Sequence, residues 1–228
     1  YLASSIMIIK RLPNVSRPAF MSIIPTIQSN KKFILLDEGA NLTSNEDYLV
    51  QWAKLGASFS KSVLKIQNPK VSILNIGTEN YKGFDYHQKA NDILQSSDLK
   101  FEYTGFIESR YLLEGLVDVV IADGYSGNMT LKSLEGTVLS FSKLIKQKIK
   151  KNAWRKFCAF LMRNVFKEIK EHLDYRNVGA AWILGVNGLV IKAHGNSDQK
   201  AYLGALNQIK LAIESDALAG FTKSLETQ

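Results

Sequence analysis

The sequence predicts a doubly wound α/β fold, a three-layer sheet flanked by helices, and three observations carry the prediction. Short apolar runs of strand length recur at Phe33–Leu36, Val71–Ile76, Phe101–Tyr103, Val117–Ala122 and Leu189–Ala193. Segments of helical periodicity separate most of them, the alternation that builds an open sheet between helical layers. Repeats, low-complexity tracts and Pro/Gly-rich linkers are all missing from the sequence. Residues 1–228 therefore read as one α/β body, long enough to bury a substantial core.

Each element follows from local chemistry. The chain opens at Tyr1 in a helix-like segment, without an initiator methionine, and is read as lacking an amino-terminal portion. Thr43 and Glu46 have capping-box spacing ahead of Tyr48, Trp52, Leu55 and Phe59, which recur at helical intervals. A further helix closes over Asn91–Gln95, and a last one starts at Ser197 with Ala201, Ala205, Ile209, Ala212 and Ile213 on a narrow face. Val117–Ala122 is short, β-branched and bounded by glycines, as expected of an interior parallel strand with Asp123 at its carboxyl edge. Gly124 and Gly127 permit tight turns, and Ser126 and Asn128 suit the cap of a helix starting near Met129. Such a junction is either a plain turn or an anion loop, because helix amino ends offer unpaired N–H groups.

From Met129 to Leu173 the apolar register runs Leu131, Leu134, Val138, Phe141, Ile145, Ile149, then Trp154, Phe157, Leu161, Val165 and Ile169. A lysine cluster around Asn152 marks the tip of a helical hairpin over residues 137–174. Between Val138 and Lys170 ten cations face one acid, so the basic charge of this segment exceeds the chain's total of +8. The basicity belongs to the hairpin and not to the whole surface. Trp154, Phe157, Phe160 and Leu161 lie close to the lysines, a composition suited to the headgroup boundary of an anionic leaflet. The same segment also reads as a dimer-forming helix pair with a solvated basic face, or as a surface for an acidic carrier. Interleaved aromatics permit base stacking, but no nucleic-acid motif accompanies them, and no nucleic acid is expected as a partner.

Cys158 is the only cysteine, and the three histidines lack ligand spacing, so neither a disulfide scaffold nor a metal site is predicted. No apolar run approaches the ~20 residues that span a bilayer.

Four groups of strand-end residues share a chemistry: Asp37–Asn41, Asn75–Gly83, Asp123–Asn128, and Gly185–Gly188 with Lys192–Asp198. Ligands of open α/β sheets bind where such loops gather. Asn amides, glycine backbones, Lys82, Lys132, Lys192 and His194 favour a small anion and the oxyanion of an acyl carbon. Lys132, placed in the first turn of its helix, opposes the macrodipole and so points to a bound anion. Each also has a plainer role. Asp37 and Asp123 are natural caps, His194 and Lys192 can face solvent, and Arg17 is a lone loop cation.

These loops, in this order, resemble the phosphate acyltransferase family of bacterial phospholipid synthesis. The likeness runs through Arg17-Pro-Ala-Phe, Asp37-x-Gly-Ala-Asn41, Leu74-Asn-Ile-Gly-x-Glu79 with Lys82-Gly83, and Asp123-Gly-Tyr-Ser-Gly-Asn-x-x-Leu-Lys132. It ends in Leu184-Gly-Val-Asn-Gly-Leu-Val-Ile-Lys-Ala-His-Gly-Asn-Ser-Asp198, the most specific stretch. Where that family reads Gly-Asn-Val-Glu-Gly-Arg-Asp, this chain has Gly105-Phe-Ile-Glu-Ser-Arg-Tyr111 and keeps only Glu108 and Arg110 with the leading glycine.

The resemblance implies the fold of phosphotransacetylases and isocitrate dehydrogenases, a homodimer, and peripheral attachment to the inner face of the cytoplasmic membrane. It implies acyl transfer from acyl carrier protein to inorganic phosphate, with no cofactor. Lys192, His194, Asn128 and Lys132 are the expected catalytic group. Arg17, Asp37, Asn41, Asn75, Gly77, Glu79, Lys82, Asp123, Gly124, Ser126, Gly127, Asn187, Gly195 and Ser197 are the expected substrate and phosphate contacts. Trp154, Phe157, Phe160 and Leu161 are the expected membrane contacts. Two alternatives stay open: a short-chain phosphotransacylase using coenzyme A esters, and an inactive fragment that binds membrane or nucleic acid.

Overall fold

Burial of nearly every residue along the central strands requires helices on both faces, and the computed structural model describes how they are supplied over residues 2–172, 180–193 and 198–226. Strands β1 (Ala19–Pro25), β2 (Lys32–Leu36), β3 (Lys70–Asn75), β4 (Glu102–Glu108), β5 (Val119–Ile121), β6 (Ala180–Leu184) and β7 (Ile191–Ala193) form one sheet. Its order is β4-β3-β5-β2-β1-β6-β7. The β4-β3-β5-β2 half is parallel. β1 runs antiparallel to β2 and β6, and β7 antiparallel to β6, so the sheet is mixed. The α/β class is as predicted, and β1 and β6 are additions to the strands read from sequence.

One face carries Ile34, Leu36, Val71, Ile73, Val119 and Ile121 beneath α2 (Glu46–Ser62), α3 (Asp85–Ser96), α7 (Gln199–Glu214) and α8 (Ala217–Glu226). Trp52, Phe59 and Phe221 are buried there, and each such side chain contributes about 1.5–3 kcal/mol by leaving water. The other face carries Phe33, Leu35, Leu74, Ile107 and Val120, covered by a 3-10 turn over Ser109–Glu114 and by Leu131 of α4 (Gly124–Ile149). A short α1 (Leu2–Ile9) precedes the sheet, and the chain after it joins the β6–β7 turn through the Arg11–Val186 bridge.

Several boundaries differ from the sequence reading. The cap of α2 is Asn45, whose side chain accepts the Tyr48 N–H at 2.9 Å, in place of the Thr43–Glu46 box. Asp198 caps α7, and α8 follows it as a further helix. The hairpin is divided into three: α4 ends at Ile149, Asn152 caps α5 (Ala153–Leu161), and α6 (Arg163–His172) is separate. α4 buries only Gly124 and Gly127, and α5 and α6 bury no residue. His172 Nε2 lies 2.5 Å from the Thr26 carbonyl, which returns the end of α6 to the β1–β2 turn.

Candidate functional site

The carboxyl ends of β2 and β5 are adjacent in the sheet, and their loops are fastened to each other by backbone contact. Asp37 is fully buried, and its two carboxyl oxygens are taken up by the loop it begins and by the adjacent strand β1. Oδ1 accepts from the N–H groups of Phe20, Gly39 and Ala40 at 2.9, 3.2 and 3.0 Å. Oδ2 accepts from the Asn41 N–H at 2.8 Å and from Asn41 Nδ2 at 3.0 Å. Burial pushes the Asp37 carboxyl up, and these hydrogen bonds oppose the shift. Asn41 Nδ2 also donates to the Pro18 carbonyl at 2.9 Å, joining the loop to the approach of β1.

The start of α4 sits directly on this loop. A Cβ on Gly124 would collide with the Asn41 carbonyl oxygen, and one on Gly127 with that of Asp37. Close approach is thus the reason for both glycines. Asn128 Nδ2 donates to the Glu38 carbonyl at 2.9 Å and closes the contact.

The helix amino end is occupied from within. α4 begins at Gly124, not near Met129, and Asp123 is its cap in place of Ser126 or Asn128. Asp123 Oδ1 accepts the N–H groups of Tyr125 and Ser126 at 3.0 and 2.9 Å, the donors that an anion would otherwise use. Its Oδ2 faces His87 Nε2 at 3.6 Å, with both side chains buried. Burial alone would raise the Asp123 carboxyl, but His87 and the Ser126 bonds outweigh it and bring it down to about 2. The 3.6 Å separation is beyond good hydrogen-bonding distance, so the pair is a close packing contact of carboxylate and imidazole.

With the helix starting earlier, Lys132 lies two turns inside it and does not oppose the macrodipole as expected from sequence. Its ammonium is exposed and 2.8 Å from Glu135 Oε2. Lys192, on β7, sits over the Phe20 ring with 5.0 Å from Nζ to the centroid. Phe20 donates its own N–H to Asp37, so Lys192 reaches the same loop through β1.

The β3 loop closes on itself. Asn75 Nδ2 donates to the Lys82 carbonyl at 3.0 Å, Glu79 pairs with Lys82 at 2.8 Å, and Gly77 packs beneath that pair. Glu108 and Arg110, the retained charges of the divergent β4 loop, bind each other through both carboxylate oxygens at 2.9 and 2.8 Å. Arg17 is exposed beside an open groove shared with Ile6, Arg11, Ser16, Pro18 and Tyr48. Asn187 is exposed, and its N–H donates to the Lys10 carbonyl at 3.0 Å. His194, Gly195 and Ser197 lie outside the described residues. Among the described residues no group of three His, Cys, Asp or Glu is placed to hold a metal.

The structure therefore links Asp37, Asn41, Asp123, Gly124, Gly127 and Asn128 in one unit, with Lys192 reaching it through Phe20. Asn75, Gly77, Glu79 and Lys82 form a separate loop at the β3 edge. Sequence reasoning passed over Glu38, Ser22 and His87. His87 lies on the buried side of α3, and Glu38 occupies the variable position of its motif, so neither carried a spacing signal.

A family model described as fatty acid synthesis protein matches residues 1–219. A phosphate acyltransferase of Mycoplasma mobile is 56% identical over 226 residues, covering 99% of this chain and 69% of that protein. A phosphate acyltransferase of Staphylococcus epidermidis is 39% identical, over 94% of this chain and 66% of its own length. Among solved structures, the EutD phosphotransacetylase of Staphylococcus aureus superposes with a TM-score of 0.54 at 16% identity, covering 93% of this chain and 58% of that one. A branched-chain phosphotransacylase of Enterococcus faecalis gives 0.53 at 12% identity, over 90% and 66%. These two likenesses establish the fold.

Proposed function

The chain belongs to the phosphate acyltransferase family of fatty acid synthesis proteins, and from that premise we propose that it transfers a fatty acyl group from acyl carrier protein to inorganic phosphate. The product is an acyl-phosphate destined for membrane phospholipid. The observation that supports the reading is the docking of the first turn of α4, Gly124–Asn128, on the Asp37–Asn41 loop, with Lys132 farther along the same helix and Lys192 over the adjoining Phe20 ring.

In the proposed reaction a phosphate oxygen attacks the thioester carbonyl carbon and a C–O bond forms. The C–S bond then breaks, and the carrier's sulfur leaves as thiolate and takes up a proton. Lys132 and Lys192 supply positive charge for the phosphate and for the oxyanion of the tetrahedral intermediate. Because Asp123 already fills the first N–H groups of α4, the anion is assigned to these side chains and not to the bare helix end. His194 is the proposed proton carrier, an imidazole being able to take up and return a proton near neutral pH. Asn41 belongs to this unit, and Asn75 and Asn187, on the β3 loop and the β6–β7 turn, are proposed as outer substrate contacts.

The hairpin has its own proposed role. Trp154, Phe157, Phe160 and Leu161 are all more than half exposed, beside the lysine cluster. Among the described residues no helix is long and apolar enough to cross a membrane. We assign the hairpin tip to an anionic membrane surface, with the protein held peripherally on the cytoplasmic side. The exposed apolar residues Leu139, Phe141 and Leu144 of α4 are assigned to pairing in a homodimer.

The test is phosphate-dependent release of carrier thiol from a fatty acyl carrier protein, compared with the matching coenzyme A ester. Release from the carrier substrate that requires phosphate is the expected result. Release from the coenzyme A ester alone would transfer the reading to a short-chain phosphotransacylase, and no release from either would remove it.

A further inference from the structure

Glu38 stands apart among the acids of this chain. It fills the variable position of Asp37-x-Gly-Ala-Asn41, yet it is only 6% exposed. Oε1 accepts from Ser22 Oγ at 2.7 Å, and Oε2 has no hydrogen-bond partner among the described residues. The backbone on both sides is fixed: its N–H donates to the Phe20 carbonyl at 3.1 Å, and its carbonyl accepts from Asn128 Nδ2 at 2.9 Å. That second bond orients α4. Asn128, Lys132 and Glu135 follow one another on a single helical stripe, so the stripe holding Lys132 looks toward Glu38.

We propose that Glu38 is a positioning residue of the anion site that acts through Lys132, its unpartnered Oε2 being, after Glu135 at 2.8 Å, a second internal rival for the ammonium that meets phosphate. The inference rests on the acyl-transfer reading above. The charges facing Glu38 are Asp37 from its own loop and Lys132 and Glu135 from α4. Ser22 is its contact on β1, and Lys192 of β7 lies over the neighbouring Phe20 ring. Burial, reinforced by Asp37 and Glu135 and opposed by the Ser22 hydroxyl and Lys132, pushes the Glu38 carboxyl up to about 8. Near neutral pH it keeps its proton and makes no claim on Lys132. Once ionised it adds a negative charge beneath the stripe, so anion affinity falls as the pH rises through about 8.

The experiment is calorimetric titration of the intact protein with sulfate, whose charge is constant over the range, and with inorganic phosphate. Wild type, E38Q, K132M and the double variant are compared. Wild-type sulfate affinity should fall about tenfold between about pH 7 and about pH 9.5, one decade for a site interaction of ordinary size. E38Q, which keeps the shape and cannot ionise, should stay flat, and E38Q should change nothing when Lys132 is already methionine. Parallel curves for wild type and E38Q, a flat wild-type curve, or no binding of either anion overturns the proposal. A side-chain nitrogen NMR titration of Lys132 in the wild type gives a second reading without substitution: its resonance must move with a midpoint near the Glu38 value. Thiol release measured on the same samples separates the two readings. Sulfate binding with the expected pH dependence but no phosphate-dependent release removes acyl transfer and leaves Glu38 in its role. Release with parallel pH curves does the reverse.

Discussion

Gly127 and Glu38 show how single residues set this site. The Asp37 carbonyl fills the space a methyl group would need at Gly127, so Gly127→Ala must push α4 away from its loop. Overpacking of this kind costs about 1–3 kcal/mol. A matching drop in the urea unfolding midpoint checks it, with a loss of any phosphate-dependent activity alongside. Glu38 makes a prediction of opposite sign. Its carboxyl is held at about 8 in the fold against an ordinary value of 4.5, so the native state binds a proton that the unfolded chain has released. Stability therefore declines as the pH rises from the unfolded value through about 8. E38Q removes that decline, and near pH 7 it should be the more stable protein by something of the order of 3 kcal/mol. Urea unfolding at a series of pH values reads it; equal slopes for the two proteins would contradict the buried, protonated carboxyl. Asp123 behaves in the ordinary direction. Truncation to alanine loses the α4 cap at about 1 kcal/mol, measured at neutral pH. Of these residues Asp123 was legible as a strand-end acid. Glu38 was not, because burial of an acid is a tertiary fact that its neighbours in sequence do not encode.

At the scale of elements, the central strands were the most readable part. Val119–Ile121 and Phe33–Leu36 are apolar on both faces, and both are interior strands of the parallel half. β1 was missed because Pro18 and Pro25 bracket it and Ser22 interrupts its apolar run, signals that speak for a loop. Yet β1 joins the parallel half to β6 and β7, and it supplies Phe20 and Ser22 to the site. The early start of α4 was missed for a related reason: Gly124 and Gly127 read as turn formers, whereas here they serve close packing inside a helix. The apolar register of the hairpin and its break near Asn152 were legible; the break at Met162 was not. Replacing Trp154 and Phe160 with serine should leave stability within about 0.5 kcal/mol, because neither side chain is buried. The same double variant should lose most of its binding to anionic vesicles in co-sedimentation. Undiminished binding would assign these aromatics to another contact, with the second subunit as the first to examine.

For the whole molecule, fold and chemistry were legible through different signals. Strand and helix alternation gave the α/β class. The chemistry came from a series of short loops whose order along the chain matches a family, now supported by 56% identity to a phosphate acyltransferase. Neither signal showed how the loops meet. The structure joins the β2 and β5 loops through backbone contacts too close for any side chain, and it fills the helix amino end with Asp123. We therefore propose that anion binding falls to Lys132 and Lys192 and not to the backbone N–H groups. That assignment is the central claim, and trapping the product tests it most directly. With a fatty acyl carrier protein and inorganic phosphate, the intact protein should yield acyl-phosphate, captured by hydroxylamine or seen by phosphorus NMR. K132M and K192M should each lower the rate by about two to three orders of magnitude, the range for removing one oxyanion contact. Full acyl-phosphate formation by the double lysine variant, or carrier thiol released with no acyl-phosphate formed, would contradict the account.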